Sequence, residues 1–299
     1  CTQVSSGVSA IFGPQDPLLG SHIQSLCDAL DIPHIEARVD LEPELKEISI
    51  NLYPSPEIIG EAIRDLIKYL NWTKVAVIYE EDVALIKLQQ LLKPPMPKEV
   101  QFTFRKSDSS QFRDTLKDIR TRGIYSLIID TKPENLPSLL TAILQIQMNN
   151  YKYHYHFTTF DIEAFNLENF RYNFVNMTAY RMVDSDSDYV KKLLKEMEKF
   201  QSVGQFILNK TNIITLEPAL MYDSVLALAK GLQALERGAT LRPVNVSCDE
   251  ENPWTDGSSL FNYVNAAEFR GLTGKIQFKE GRRSTLKLDL LKLRTEKLD

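Results

Sequence analysis

Apolar and polar residues alternate across residues 48–52. Ile48, Ile50 and Leu52 fall on one side, which predicts a half-buried strand. Pro54 and Pro56 then interrupt the chain, with Ser55 set to cap a helix that has Pro56 at its first position. Ile59, Ile63, Leu66 and Leu70 recur at spacings of three and four and give that helix one apolar face. Asn71 can close it in the left-handed conformation. Residues 75–79 (VAVIY) are apolar without alternation, the pattern of a parallel strand covered on both faces. Strand, helix and strand within about thirty residues predict a β–α–β crossover. Glu80, Glu81 and Asp82 fall at the carboxyl end of its last strand, where open α/β sheets put their crevice.

The same periods continue in both directions. Strands are predicted over residues 8–12, 32–37, 100–104, 126–129, 153–159 and 174–181. A helix over 18–30 carries Leu19, Ile23, Leu26, Cys27 and Leu30 in register. Another over 83–92 is stopped by Pro94, Pro95 and Pro97. Asp108, three residues before Gln111, is read as the cap of a helix bearing Phe112, Leu116 and Ile119. Further helices are predicted over 139–148, 188–200, 218–235 and 259–267, with a linker over 204–212. The closing stretches 271–278 and 285–290 alternate, which predicts an antiparallel hairpin at a sheet edge.

Strands alternating with helices define an α/β class with parallel sheets. The strands are too many for one compact sheet. Two lobes are therefore expected, with the chain crossing between them near Pro54, Gly204 and Gly271. Residues 1–54 plus 205–271 are assigned to lobe 1, and 55–204 plus 272–299 to lobe 2.

Composition narrows the function. With 299 residues, 43% apolar and 25% charged, the chain is an ordinary globular one. A net charge of −5 without a basic stripe argues against nucleic-acid binding. No apolar run approaches the ~20 residues that span a bilayer. The chain opens on Cys1-Thr-Gln-Val, with no basic start and no apolar block, and so reads as a mature or excised piece. Cys27 lies on an apolar helix face and reads as a buried, inert thiol. Cys1 and Cys248 are in polar surroundings and could close a very long loop, worth up to ~5 kcal/mol on the chain-entropy model. Four N-x-[ST] sequons, at Asn71, Asn176, Asn209 and Asn245, lean toward an extracellular chain.

No catalytic motif is present: no G-x-S-x-G, H-E-x-x-H or C-x-x-C, and no phosphate-binding glycine loop. The chain is therefore read as a non-enzyme with no cofactor. His154 and His156 share one face of a strand; zinc there would lack an obvious third ligand, and aromatic strand packing is the favoured reading. Glu80, Glu81 and Asp82 could ring a cation, but a solvated strand end is the simpler account, as it is for Asp249, Glu250 and Glu251. The helix over 18–30 is apolar beyond one core stripe, through Leu18, Leu19 and His22, and this suggests a partner surface.

The strings SSGVSAIFGP, SLCDALDIPHI, SLIIDTKPENL, YHYHFTTFDIEAF, RYNFVNMTAYR, ALMYDSVLALA, NPWTDGSSLFNYV and GLTGKIQF resemble the amino-terminal domain of kainate-type ionotropic glutamate receptor subunits, over nearly the whole chain. The resemblance implies a two-lobed clamshell of the periplasmic binding protein type I class. It would lie on the extracellular side of the plasma membrane at synapses, in a tetrameric ligand-gated cation channel whose membrane parts lie outside this chain. It also implies a disulfide between Cys1 and Cys248, and an assembly role, with glutamate bound by a separate domain. Pairing with the same or other receptor subunits is expected through the lobe-1 helix, at Leu18, Leu19, His22, Ile23 and Leu26. Glycans are expected at Asn71, Asn176, Asn209 and Asn245. Two departures stand out. The family's domain begins before Cys1, so the lobe-1 sheet is expected to lack its first strand–helix units and to expose an apolar edge. Amino-acid-binding relatives also carry small and hydroxyl residues where this chain has Gln15-Asp-Pro-Leu and Glu36-Ala-Arg-Val-Asp, loops that offer acidic side chains. The alternative function is a solute-binding module for an amino acid or related small ligand.

Overall fold

A computed structural model describes residues 2–40, 46–93, 100–200, 213–238, 240, 246 and 253–293. The chain divides into two compact units: Cys1–Ser55, Val183–Val203 and Leu216–Lys287 form the first, and Pro56–Met182, Gly204–Thr215 and Leu288–Asp299 the second. The helix Asp188–Lys199 and the stretch 272–287 thus fall in the first unit, whereas the sequence reading put them in lobe 2.

The first unit is built on a five-stranded sheet in the order Ile11–Phe12, His34–Glu36, Ser49–Asn51, Arg282–Arg283, Phe278–Lys279. The first four strands run parallel and the last is antiparallel. A separate antiparallel pair joins Phe269–Gly271 to Gly274–Ile276. Helices Pro17–Leu30, Asp188–Lys199, Leu216–Glu236 and Gly257–Asn265 belong to this unit.

One buried polar knot fixes its late segment. Asp223, in the otherwise apolar long helix, has a fully buried carboxylate. It accepts from the backbone N–H of Leu272 at 2.7 Å and of Thr273 at 2.9 Å, and from the Thr273 hydroxyl at 2.6 Å. Gly271 is required beside it, because any Cβ there would overlap the carboxylate. Arg283 completes the knot by donating to Thr273 Oγ1 at 2.7 Å and to the Thr273 carbonyl at 2.8 Å. Burial lowers the Arg283 guanidinium to about 10, against the pull of Asp223. The strings ALMYDS and GLTGKIQF are thus two sides of one hydrogen-bonded joint.

The second unit holds a six-stranded sheet, ordered Asp289–Lys292, Asn176–Arg181, His154–Phe157, Ser126–Asp130, Lys74–Tyr79, Gln101–Lys106. All neighbours are parallel except Asp289–Lys292, which runs antiparallel to Asn176–Arg181. Val75, Ala76, Val77 and Ile78 are completely buried, as an unbroken apolar run in a parallel sheet should be. Helices Phe112–Thr121 and Leu136–Gln145 set Leu116, Ile119, Leu139 and Ile143 against Leu127, Ile129, Tyr155 and Met177 in one core. Each such aliphatic side chain, once buried, contributes about 1.5–3 kcal/mol.

Two expectations about connection are corrected. Ser49–Asn51 and Lys74–Tyr79 lie in different sheets, so the opening strand–helix–strand is not one crossover unit. The closing strands do not pair with each other: Gly274–Ile276 pairs with Phe269–Gly271, while Asp289–Lys292 forms the edge of the second sheet. The helix starts at Phe112, and Asp108 serves its entry as expected: its carboxylate takes the Ser110 N–H at 2.8 Å and the Ser110 hydroxyl, and its carbonyl accepts the Phe112 N–H at 3.1 Å. Asn71 does close the Pro56–Tyr69 helix with a positive φ of 53°.

Candidate functional site

The carboxyl ends of parallel strands are the first place to seek a ligand site. In the first unit this end is filled by the protein's own charges. Glu36 ends the strand His34–Glu36 with its carboxylate fully buried. Oε1 accepts from Arg38 Nη2 at 2.6 Å and Nε at 2.9 Å, while Oε2 accepts from Lys46 Nζ at 3.0 Å and the Ser49 hydroxyl at 3.3 Å. Burial alone would raise the Glu36 carboxyl, but His34, Lys46 and Arg38 outweigh it and hold it below the usual carboxylate range. His34 Nδ1 lies 2.6 Å from Gln24 Oε1, and Nε2 lies 2.6 Å from the Gly13 carbonyl. Gln24 donates its own amide to Asp28, which leaves its oxygen toward the ring. Both ring nitrogens therefore face acceptors. Burial lowers the pKa of His34, while Glu36 Oε1, 3.7 Å from Nδ1, pulls it the other way.

The acids of the expected loops are thus engaged by the protein's own groups, Asp40 by Lys46 at 3.3 Å among them. Glu36 is consumed internally, and Asp16 caps the helix Pro17–Leu30 by accepting the Leu19 N–H at 2.8 Å. A zwitterion's carboxylate needs free donors; Arg38 and Lys46 already serve Glu36.

At the corresponding end of the second sheet the acids are also paired. Glu80 accepts from the Lys132 N–H at 2.9 Å and from the Asn135 amide; Glu81 meets Lys132 Nζ at 2.8 Å, and Asp82 meets Lys106 at 2.8 Å. His154 and His156 do share a face, as expected. Trp72 packs edge-on to His154 and Tyr180 edge-on to His156, each with ring centroids 4.9 Å apart. One nitrogen of each imidazole lies 3.2 Å from the Thr178 hydroxyl, which donates to the Tyr155 carbonyl. Burial lowers His154 to about 4 and His156 to about 3, so both rings are neutral at physiological pH. Among the described residues no group of three or more His, Cys, Asp or Glu could hold a metal. Cys27 is fully buried, and burial lifts its thiol to about 12.

The helix Pro17–Leu30 has an inverted division of residues. Gly20, Gln24 and Cys27 form its buried side, and Ile23 and Leu30 are half-buried. Leu18 is 72% exposed, Leu19 50% and Leu26 55%, with His22 exposed beside them. The register that put Leu19 and Leu26 in the core is therefore corrected. The reason is Arg38, whose guanidinium lies where a Cβ on Gly20 would stand. Small and polar residues accommodate the ion cluster, and the leucines are left to solvent. Asn71 is exposed and Asn176 half-buried. Cys1, Cys248, Asn209, Asn245 and the acids 249–251 lie outside the described residues. Glu36 and Arg38, two apart in an apolar strand, and Asp223 within an apolar helix were the sequence signals for the buried charges.

No helix among the described residues is long and apolar enough to cross a membrane. A family model, the receptor family ligand binding region, matches residues 1–296. Together with the parallel-dominated α/β sheets, this defines the class: the chain belongs to the receptor family ligand binding region. Within it, the chain is similar to kainate-type ionotropic glutamate receptors. It is 34% identical to mouse glutamate receptor ionotropic, kainate 1, over 99% of this chain and 36% of the relative. It is 35% identical to the human protein over 99% of this chain and 33% of the relative. The chain spans about a third of the length of the curated relatives it matches.

Proposed function

We propose that this chain is an extracellular assembly domain of a kainate-type ionotropic glutamate receptor subunit. It pairs with another subunit through the helix Pro17–Leu30, within a tetrameric cation channel whose membrane parts lie outside this chain, at the synaptic surface. The observation that carries the reading is the set of leucines turned outward on that helix, while glycine, glutamine and cysteine fill its inner side. Such a face matched to its own copy is isologous: Leu26 of one subunit meets the same patch on the other. The reading includes a Cys1–Cys248 disulfide and glycans on the sequon asparagines. It predicts that sedimentation of the secreted chain gives a dimer fraction that rises with concentration; a monomer at all micromolar concentrations would overturn it.

The family description, a ligand binding region, supports a second reading: a module for a small ligand, which we take to be an amino acid. The buried Glu36 network weighs against it, because the donors a carboxylate needs are engaged. Calorimetry against an amino-acid panel separates the two. The assembly reading expects no heat, and saturable heat with one amino acid supports the alternative.

A further inference from the structure

The sequon at Asn176 opens the strand Asn176–Arg181, directly after the turn 171–174. Phe174 closes that turn with φ of 58° and is 79% exposed. Both properties are unfavourable for phenylalanine: the left-handed region suits glycine or asparagine, and a bare ring in water leaves its apolar area unburied. Burial then alternates, with Val175 and Met177 buried, Asn176 half-buried and Phe174 exposed. Phe174 and Asn176 are two residues apart, so their Cα atoms stand no more than about 7 Å from each other. No hydrogen bond engages the Asn176 side-chain amide among the described residues. The sequon's third residue is committed elsewhere. Thr178 is 4% exposed and its hydroxyl holds Tyr155, His154 and His156.

We propose that Phe174 is the platform for an N-linked glycan on Asn176: the first N-acetylglucosamine lies over the exposed ring. This rests on the proposed extracellular reading, which gives the chain access to glycosylation. The apolar C–H face of a pyranose is complementary to the negative face of an aromatic ring, and the contact removes both from water. In the transfer, Asn176 Nδ2 forms a bond to the anomeric carbon of a lipid-diphosphate-linked oligosaccharide. The anomeric C–O bond breaks, the diphosphate leaves with the electron pair, and the amide gives up one proton. Because Thr178 is sealed in the sheet once folded, the transfer precedes pairing of Asn176–Arg181 with His154–Phe157.

A double-mutant cycle on the chain secreted from glycosylating cells tests this, using wild type, Phe174→Ala, Asn176→Gln and the double variant. Mass spectrometry reads occupancy and thermal melting reads stability. With the glycan present, Phe174→Ala is expected to lower Tm by about 2–4 °C. In the Asn176→Gln background the same change leaves Tm unchanged or raises it. Phe174→Tyr keeps the coupling, and so does trimming the glycan enzymatically to its first sugar. Additive effects with Asn176 occupied would overturn the platform while leaving the extracellular reading intact. An unmodified Asn176 in the secreted wild type would overturn the glycan itself.

Discussion

Asp223 shows how a single buried charge becomes structural. Its carboxylate has three donors, two of them backbone N–H groups of the buried residues Leu272 and Thr273. Asp223→Ala is expected to destabilise the first unit by about 3 kcal/mol, read by urea unfolding, because two buried amides and the Thr273 hydroxyl lose their acceptor. The histidines of the second unit act through pH. Their folded pKa values, about 4 for His154 and about 3 for His156, lie below that of a free imidazole. The unfolded chain therefore binds protons that the folded one refuses as pH falls below about 6.5. Stability is complete above that pH and declines toward the folded values, by on the order of 3 kcal/mol for the pair between pH 6.5 and 5. His156→Phe should remove about half of this dependence in unfolding measured at both pH values; an unchanged slope would show that His156 is not the titrating group.

Among the elements, the edge strand Asp289–Lys292 is held by one deeply buried side chain, Leu291 at 2% exposure, and by its ladder to Asn176–Arg181. Leu291→Ala should cost about 2–4 kcal/mol in the second unit, with raised hydrogen exchange across Asn176–Arg181. The elements themselves were legible in the sequence. The unbroken VAVIY run and the striped helix 56–69 are local patterns that burial imposes on any chain. Their partners were not. Alternation records that a strand has an inner face but not which sheet supplies it, so Ser49–Asn51 and Lys74–Tyr79 looked like one crossover, and the last strands looked like one hairpin. The inward side of Pro17–Leu30 was hidden for a related reason. Periodicity ranks leucine above glycine for the core, and nothing local reveals that Arg38 needs the space above Gly20.

For the whole molecule, the central claim is that the outward leucines of Pro17–Leu30 serve a second subunit, while both strand ends keep their charges to themselves. Substituting Leu19 and Leu26 by aspartate alters residues that are half exposed, so folding should be spared: Tm is expected to stay within about 2 °C of wild type under conditions where both are monomeric. On pairing, each leucine would remove apolar area worth about 1 kcal/mol or more from water, and two facing aspartates would replace that gain with repulsion. The most direct measurement is sedimentation equilibrium of the secreted chain beside its Leu19→Asp, Leu26→Asp variant, from sub-micromolar to high micromolar concentration. The account predicts a reversible dimer for the wild type and a folded monomer throughout for the variant. A variant that dimerises as tightly as the wild type would contradict it.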